Sequence, residues 1–396
     1  MNGPIIRVIG VGNGGCNAVS QIMRSEVTGV ELIAMDTDVR KLRDCPAPHK
    51  VIIGHDVTQG LGCGADPDLG LHAAQASQKE IEQVLAGAHM VFVTAAMGGC
   101  TGTGAAPVIC RLAREMGALT VAVCTKPFRF ERQRRMNTAL LGIEQIAECV
   151  DAFVVIDNQR LFDQVDKHTK LTDAFAMVDD VLRQAVQGVS DLITIPGTIN
   201  VDFADVCTVL RDAGPVLMGM SEMPADTGSG DIVQKAVASP LLENGIAGAS
   251  NLLLNVTVGP DTSLWQVHDI ADAVAAATQT EMPSVIFGTV VDDTMRGRIK
   301  LTILAANFVT PSVGRPQDNL YGSSRPLYGN PPSPPNLRRS AAAPPPAPAP
   351  APAPSAGPQP IPGLPSVPPP PGAADHDLDM PTFVRRNLER RDPDRR

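Results

Sequence analysis

The sequence predicts an α/β protein built in successive parts, and three observations predict it. Short β-branched runs alternate with helical patterns from residue 5 to about 157, one long apolar-striped helix follows near residue 171, and strand and helix patterns then resume before dissolving beyond Thr310. Alternation of this kind argues for a mainly parallel sheet with helices on both faces, whose ligand sits at the carboxyl ends of the strands.

The first run, IIRVIGV, enters a loop holding Gly10, Gly12, Gly14 and Gly15, after which Ala18, Val19, Ile22 and Met23 recur at helical spacing. Strand, glycine turn and helix in that order bring backbone N–H groups to an anion at the positive end of a helix. The second run, VELIAMD, ends at Asp36, about 20 residues on, where a Rossmann dinucleotide site holds a ribose hydroxyl. On these residues alone, a dinucleotide site of an oxidoreductase and a phosphate cradle of another kind both remain open. KVIIG, HMVFVTAA, LTVAVCT and AFVVID are further strand candidates.

In LTDAFAMVDDVLRQAVQGV, the residues Leu171, Ala174, Phe175, Val178, Val181, Leu182, Ala185, Val186 and Val189 follow a helical stripe. Thr172 is the expected N-cap, and Gly188 is expected near the stop. PVLMGMSE, NLLLNVTVG, SVIFGTVV and IKLTILAANF give four more strands, with helices expected over 229–238 and 263–277, a second α/β domain ending near Phe308.

Composition narrows the function. The chain has 396 residues, enough for several domains, but 19 of its 36 prolines fall between Pro331 and Pro371, so that stretch is not globular. Its 42 residues from Pro331 carry two charges and no periodicity, which describes an extended, partly polyproline linker reaching on the order of 130 Å at ~3.1 Å per residue. Beyond it, Met380, Phe383, Val384 and Leu388 lie at helical spacing amid charges of both signs, as in a short peptide that folds onto a partner's groove. A net charge of −9 without a basic block leaves no electrostatic footprint for nucleic acid. MNGPIIRVIG has no basic region before a long apolar stretch, and no apolar run approaches the roughly 20 residues that span a bilayer, so neither a secretory leader nor membrane insertion is expected. The eight cysteines (Cys16, Cys45, Cys63, Cys100, Cys110, Cys124, Cys149 and Cys207) never form C-x-x-C and are expected as reduced thiols in a cytoplasm.

A second glycine loop decides between the two open readings. GGCTGTG, with Gly98, Gly99, Gly102 and Gly104 alternating with Thr101 and Thr103, follows HMVFVTAAM and precedes another helix; QGLGCGADP adds Gly60, Gly62 and Gly64. A dinucleotide site needs one such loop, and a P-loop needs a lysine after its last glycine, yet the chain contains no Gly-Lys pair. Three loops instead suggest closure around one polyphosphate, with threonine hydroxyls adding donors.

GGCTGTG resembles the G-G-G-T-G-T-G signature of the tubulin/FtsZ superfamily. The likeness to its FtsZ family extends over GVGNGGCNAV, GLGCGADP, TKPFRFERQRR, LTDAFAMVDD, NVDFADV, ASPLLE and the terminal DMPTFVRR. The resemblance implies a Rossmann-like GTPase domain over 1–170, a central helix over 171–195 and a C-terminal activation domain with a mixed sheet over 196–309. A disordered Pro/Ala-rich linker over 310–374 and a partner-binding peptide over 375–396 would complete the chain. It further implies a nucleotide held by Asn13, Gly14, Gly15, Cys16 and Asn17 of the first loop and by Cys100, Thr101 and Gly102 of the signature. Glu131 and Arg135 would contact the ribose, Phe175 would stack on guanine, and Asp179 would accept from guanine N1–H and N2–H, a donor pair that adenine lacks. Phe175 and Asp179 suit this as i, i+4 neighbours on one helix face.

The same resemblance places Asp202 and Asp205, supported by Asn200, in a loop that completes the next subunit's site and polarises the attacking water. Implied with it are GTP, head-to-tail self-assembly, membrane-tethering and regulatory division proteins as partners of residues 375–396, and a cytoplasmic place at the mid-cell division ring; Mg²⁺ is expected because the triphosphate carries charge that no lysine in these loops neutralises. Read without the family, Asn200 is an N-cap and the two acids favour a helix dipole. Several positions depart from the family pattern of glycine at 13, 16 and 100, alanine at 63, and asparagine at 36 and 66: they carry Asn13, Cys16, Cys100, Cys63, Asp36 and Asp66. Cys16 and Cys100 are expected to bring side chains close to phosphate, and Asp36 a carboxylate that repels it unless a metal ion or proton intervenes. A structural relative that binds GTP and joins filaments but hydrolyses poorly is therefore the alternative.

Overall fold

The structure, a computed structural model, describes residues 3–308 except 26, 163–165, 167, 196, 198, 200 and 240–244. Residues 310–374 and 375–396, expected as linker and peptide, lie outside the described residues, as does Asn200.

The alternating first part folds as β1 (Ile6–Val11), α1 (Gly12–Arg24), β2 (Val30–Asp36), α2 (Val39–Asp44), β3 (His49–Ile52), α3 (His55–Thr58), α4 (Pro67–Ala76) and α5 (Gln78–Leu85). It continues through β4 (Met90–Ala96), α6 (Thr101–Glu115), β5 (Leu119–Lys126), α7 (Gln133–Cys149), β6 (Ala152–Asp157) and α8 (Asn158–Phe162). The long helix α9 (Leu171–Thr194) follows, then α10 (Phe203–Leu210) and the two-residue β7 (Gly214–Pro215). The chain then forms β8 (Leu217–Pro224), α11 (Ser229–Val237), β9 (Ala249–Val258), α12 (Leu264–Ala277), β10 (Ser284–Val291) and β11 (Arg298–Phe308).

All seven strands of the first sheet are parallel, in the order β3-β2-β1-β4-β5-β6-β7. Parallel strands bury both faces, which is why their residues sort by parity. Ile6, Val8, Met90 and Phe92 enter a core shared with α1, α9 and α10, while Ile9, Val11, Val91 and Val93 enter a second core with α4, α5, α6 and α7. The other sheet is mixed, ordered β10-β9-β11-β8, with β10 and β9 parallel and β11 antiparallel to both its neighbours. Its outer face packs on α11 and α12, and Met218, Leu253 and Leu304 of its inner face join the core of α9.

Three local details differ from the sequence reading. The edge strand β7 pairs Gly214 and Pro215 with Ala152 and Phe153; glycine and proline are poor strand formers, so no pattern marked it. Helix α9 starts after Lys170 with no side-chain cap, and the Thr172 hydroxyl turns to Asp173 instead, 3.2 Å away. Gly188 does not stop the helix, which runs on to Thr194. A Cβ there would stand 2.8 Å from Cγ2 of the buried Thr302, so the glycine serves the close approach of α9 to β11.

Helices α4 and α6 come closer still, backbone to backbone. A Cβ on Gly104 would collide with the Pro67 carbonyl oxygen and stand 2.7 Å from the Leu71 backbone nitrogen. Gly104→Ala should therefore destabilise the fold by about 2 kcal/mol, the cost of overpacking exceeding the gain in helix propensity. Urea unfolding checks this, an unchanged midpoint being the contrary result.

Candidate functional site

The carboxyl ends of β1, β2, β4 and β5 open into one cavity of about 760 Å³, a volume that suits a nucleotide. Helices α1 and α6 start at its wall, after Val11 and Cys100, with no side-chain cap and no acidic residue in the first turn. Their free N–H groups and positive dipole ends are therefore left for an anion. By contrast, the Asp38 carboxylate caps α2 by accepting from Arg40 N–H at 2.9 Å, and Asp66 caps α4 by accepting from Asp68 N–H at 3.1 Å. The departure at Asp66 is thus a helix cap outside the cavity lining. Gly12, at φ +71°, brings the two uncapped loops into contact, because a Cβ there would lie 2.9 Å from the Gly102 nitrogen.

Most of the residues proposed from sequence line this cavity: Asn13, Gly14, Asn17, Cys100, Thr101, Gly102, Glu131, Arg135, Phe175 and Asp179. Gly15 and Cys16 do not. Because α1 already begins at Gly12, the chain has turned inward by residue 16, and Cys16 Sγ lies 3.8 Å from the Gly10 carbonyl in the core. Cys16 therefore cannot crowd a phosphate. Its thiol is pushed up by a hydrogen bond to Cys45 and by burial, while that bond pulls the Cys45 thiol down.

Asp36 is buried at the cavity floor, where its Oδ1 accepts from the Thr37 N–H at 2.7 Å and the Thr101 hydroxyl at 3.2 Å. Burial holds its pKa above the ordinary value, against the pull of these donors. Thr37 and Thr101 hydroxyls bond each other at 2.9 Å, so both predicted and unpredicted donors form one network. Glu131 closes a short 3₁₀ turn by accepting from Phe128 N–H at 2.9 Å and pairs with Arg135 at 3.1 Å. Phe175 stands 40 % exposed, edge-on to Phe128 at 5.3 Å, so its free face looks into the cavity. Burial lifts Asp179 to about 6, with Arg24 pulling the other way.

The cavity also holds residues that sequence reasoning passed over. The glycine loops carry no lysine, but Lys41 of α2, with Arg132 and Arg134, lines the cavity and brings positive charge to it. Asn158, 5 % exposed, leaves Oδ1 without a hydrogen-bond partner among the described residues. Its signal was its place directly after β6, the last long strand of the first sheet, where ligand residues gather. The expectation of eight reduced thiols is corrected: Cys63 and Cys100 are joined as a disulfide, their Cα atoms 5.9 Å apart, while six cysteines remain free. Spacing rules see only local pairs, and these two meet because separate loops converge on one cavity.

Asp202 and Asp205 lie elsewhere. Asp202 is the N-cap residue of α10 and Asp205 sits in its first turn, both exposed, and neither lines the cavity. The ring of the adjoining Phe203 lies edge-on to His89, 6.4 Å away, and His89 immediately precedes β4. The acids therefore sit at the amino ends of the strands, separated from the cavity by the seven residues of β4, roughly 23 Å at ~3.3 Å per residue. They cannot reach the cavity of their own chain. Helix α9 connects the two ends, bearing Phe175 and Asp179 at the cavity and Thr194 beside Gly29, which precedes β2.

Comparison with known proteins bears on this arrangement. A family profile described as Tubulin/FtsZ family, GTPase domain, matches residues 5–166, and one described as FtsZ family, C-terminal domain, matches residues 214–309. An FtsZ single-substitution variant from M. jannaschii is 35% identical over 77% of this chain and 92% of that chain, with a TM-score of 0.73. An empty FtsZ dimer from M. jannaschii is 34% identical over 77% of this chain and 88% of that chain, with a TM-score of 0.72. CetZ2 from Haloferax volcanii, a GTPgS-bound protofilament, shares the fold at 21% identity and a TM-score of 0.64, over 76% of this chain and 93% of that one.

The raised Asp179 has a consequence for stability. A carboxyl that titrates near 6 when folded but near 3.8 when unfolded binds its proton more tightly in the native state. Its contribution is therefore present at low pH and lost as pH rises through about 6. The ligand-free protein should melt at higher temperature at pH 5 than at pH 7 on this account, and Asp179→Asn should shrink that difference; thermal scans of both proteins at the two pH values check it.

Proposed function

The chain belongs to the tubulin/FtsZ family and carries its GTPase domain, and from this we propose a GTP-dependent, filament-forming cell-division protein whose site is completed by the next subunit. One observation carries the reading: the nucleotide cavity and the acids Asp202 and Asp205 stand at opposite ends of the first sheet. Head-to-tail stacking would bring one subunit's acids to the cavity of another, as the dimer and protofilament forms of the relatives allow.

In this reading the uncapped starts of α1 and α6 bind the phosphates through backbone N–H groups, with Lys41 and the nearby arginines adding positive charge. Glu131 and Arg135 hold the ribose. Phe175 covers one face of guanine while Asp179, and Asn158, whose Oδ1 has no partner among the described residues, take its N–H donors. No group of three or more His, Cys, Asp or Glu side chains forms a metal cage among the described residues. A Mg²⁺ ion arriving with the triphosphate fits that donor set, since magnesium is commonly held by phosphates and one carboxylate; Asp36 and the Thr37 and Thr101 hydroxyls would hold it. Bound there, it would supply charge neutralisation for the departing phosphate.

Asp202 and Asp205, with Asn200 in support, would orient and polarise a water at the neighbour's γ-phosphate. A lone subunit then holds GTP without hydrolysing it, and loss of the γ-phosphate weakens the contact that permitted the loss. Residues 375–396, on the linker 310–374, would recruit membrane-tethering and regulatory division proteins to a cytoplasmic ring at mid-cell. A second reading, a relative that assembles but hydrolyses poorly, draws on the buried Asp36 carboxylate and the bonded Cys63 and Cys100 in the cavity.

Phosphate release with GTP and Mg²⁺, followed alongside light scattering as protein concentration rises, tests the reading. Specific activity should switch on together with scattering above a critical concentration, whereas scattering without release supports the second reading. Asp205→Ala should bind GTP and hydrolyse none, and Asp179→Ala should bind GTP at least tenfold more weakly, having lost charge-assisted hydrogen bonds. Mixing the two variants should restore hydrolysis, because one keeps a sound cavity and the other sound acids; an inactive mixture counts against a shared site. GDP affinity of the unaltered protein should fall as pH drops below about 6, where Asp179 takes up a proton and ceases to accept, and equal affinities at pH 7.5 and 5 would remove Asp179 from base recognition.

A further inference from the structure

Cys63 and Cys100 come from different loops, 37 residues apart in sequence, and both line the nucleotide cavity. Cys63 follows Gly62, whose N–H donates to the Thr37 carbonyl at 3.1 Å, so its segment is laced to the end of β2. Cys100 is the N-cap residue of α6, and its carbonyl accepts from Gly104 N–H at 2.9 Å. Between the two loops stand the disulfide and the 3.3 Å contact of Cys63 Sγ with the Thr101 hydroxyl, which itself bonds Thr37 and Asp36. The covalent bond therefore fastens the segment after α3 to the loop whose N–H groups would meet phosphate. Both sulfurs are nearly buried, at 6 % and 4 % residue exposure, and sit at the cavity wall, where they are reached through an empty cavity.

We propose that the Cys63–Cys100 pair is a reversible redox site that sets the affinity of the cavity for nucleotide. The inference rests on the guanine-nucleotide reading of that cavity. In the oxidised protein the two loops are held together before ligand arrives; in the reduced protein they must be fixed on binding, at a cost in conformational entropy. A dithiol is a sufficient reductant. One of its thiolates attacks a sulfur of the pair, the Cys63–Cys100 bond breaks, and a mixed disulfide forms, which the second thiol of the dithiol resolves. Two electrons pass to the protein, Cys63 and Cys100 each take a proton, and the dithiol leaves as its own disulfide. A disulfide oxidant runs the exchange backwards. Disulfides in reducing compartments are mostly transient and redox-sensing, which suits a bond placed in a ligand site.

Linkage makes the coupling reciprocal. If oxidation tightens nucleotide binding about tenfold, saturating nucleotide lowers the reduction potential of the pair by about 30 mV. Nucleotide should also slow reduction by covering the approach to the bond.

The test uses the full-length chain and GDP as probe. Thiol titration of the unreduced, denatured chain should find six thiols, rising to eight after dithiothreitol. Calorimetric titration should give GDP binding about tenfold tighter before reduction than after it, and the difference should vanish in Cys63→Ala, which leaves Cys45 and every other thiol in place. Eight thiols before reduction, or one GDP affinity in both states, would overturn the proposal. If GDP bound in neither state, the guanine reading would fall and the coupling with it, while the thiol count would still tell whether the bond forms.

Discussion

The common direction of the strands is the constraint on which the rest of the molecule depends. Because β1 to β6 run parallel, every connection that follows a strand begins at one edge of the sheet and every connection that precedes one ends at the other. Loops from four distant stretches of sequence are thereby gathered at one place. Backbone N–H groups collect there because α1 and α6 begin without caps, and the hydroxyls of Thr37 and Thr101 meet because the ends of β2 and β4 are two strands apart in that same edge.

Packing then ties this edge to the rest of the protein. Helix α9, about 36 Å long at 1.5 Å per residue over its 24 residues, lies between the two sheets and buries Val178, Leu182, Val186 and Val189. Its cavity end carries exposed Phe175 and half-buried Asp179, and its far end reaches the neighbourhood of α10 and the acids. Close approaches at Gly104 and Gly188 set how near the helices lie to their neighbours. A shift of α9 along its axis would be felt at both ends of the sheet, since interiors packed this closely do not deform continuously.

Much of this was legible in the sequence, and the reasons are physical. Buried parallel strands need β-branched runs, so IIRVIGV, HMVFVTAA and LTVAVCT declared themselves, and the stripe of α9 followed from its one buried face. The uncapped glycine loops marked the cavity because few other structures use that pattern. What escaped depended on tertiary convergence. Lys41 carries no local signature, Asn158 only its place after β6, Cys63 and Cys100 become partners only through folding, and Cys16 faces the core because α1 starts earlier than the loop pattern suggested. Gly188 read as a stop when its neighbour in space, Thr302, is more than 100 residues away in sequence. Phe175 and Asp179 took meaning from family likeness alone, since a half-exposed ring and an acid on a helix are ordinary surface features.

The separation of cavity and acids has an arithmetic side. A contact joining one end of a subunit to the opposite end of the next is heterologous, and unless rotation closes it into a ring it yields an open chain whose two tips differ. One tip presents a cavity with no acids over it, and the other presents acids with no cavity to act on. Under the shared-site reading, a chain of n subunits holds n − 1 complete sites and one nucleotide that is bound yet spared. Short chains would carry a larger spared fraction than long ones, so the length distribution itself would act as a clock on how much triphosphate the population retains.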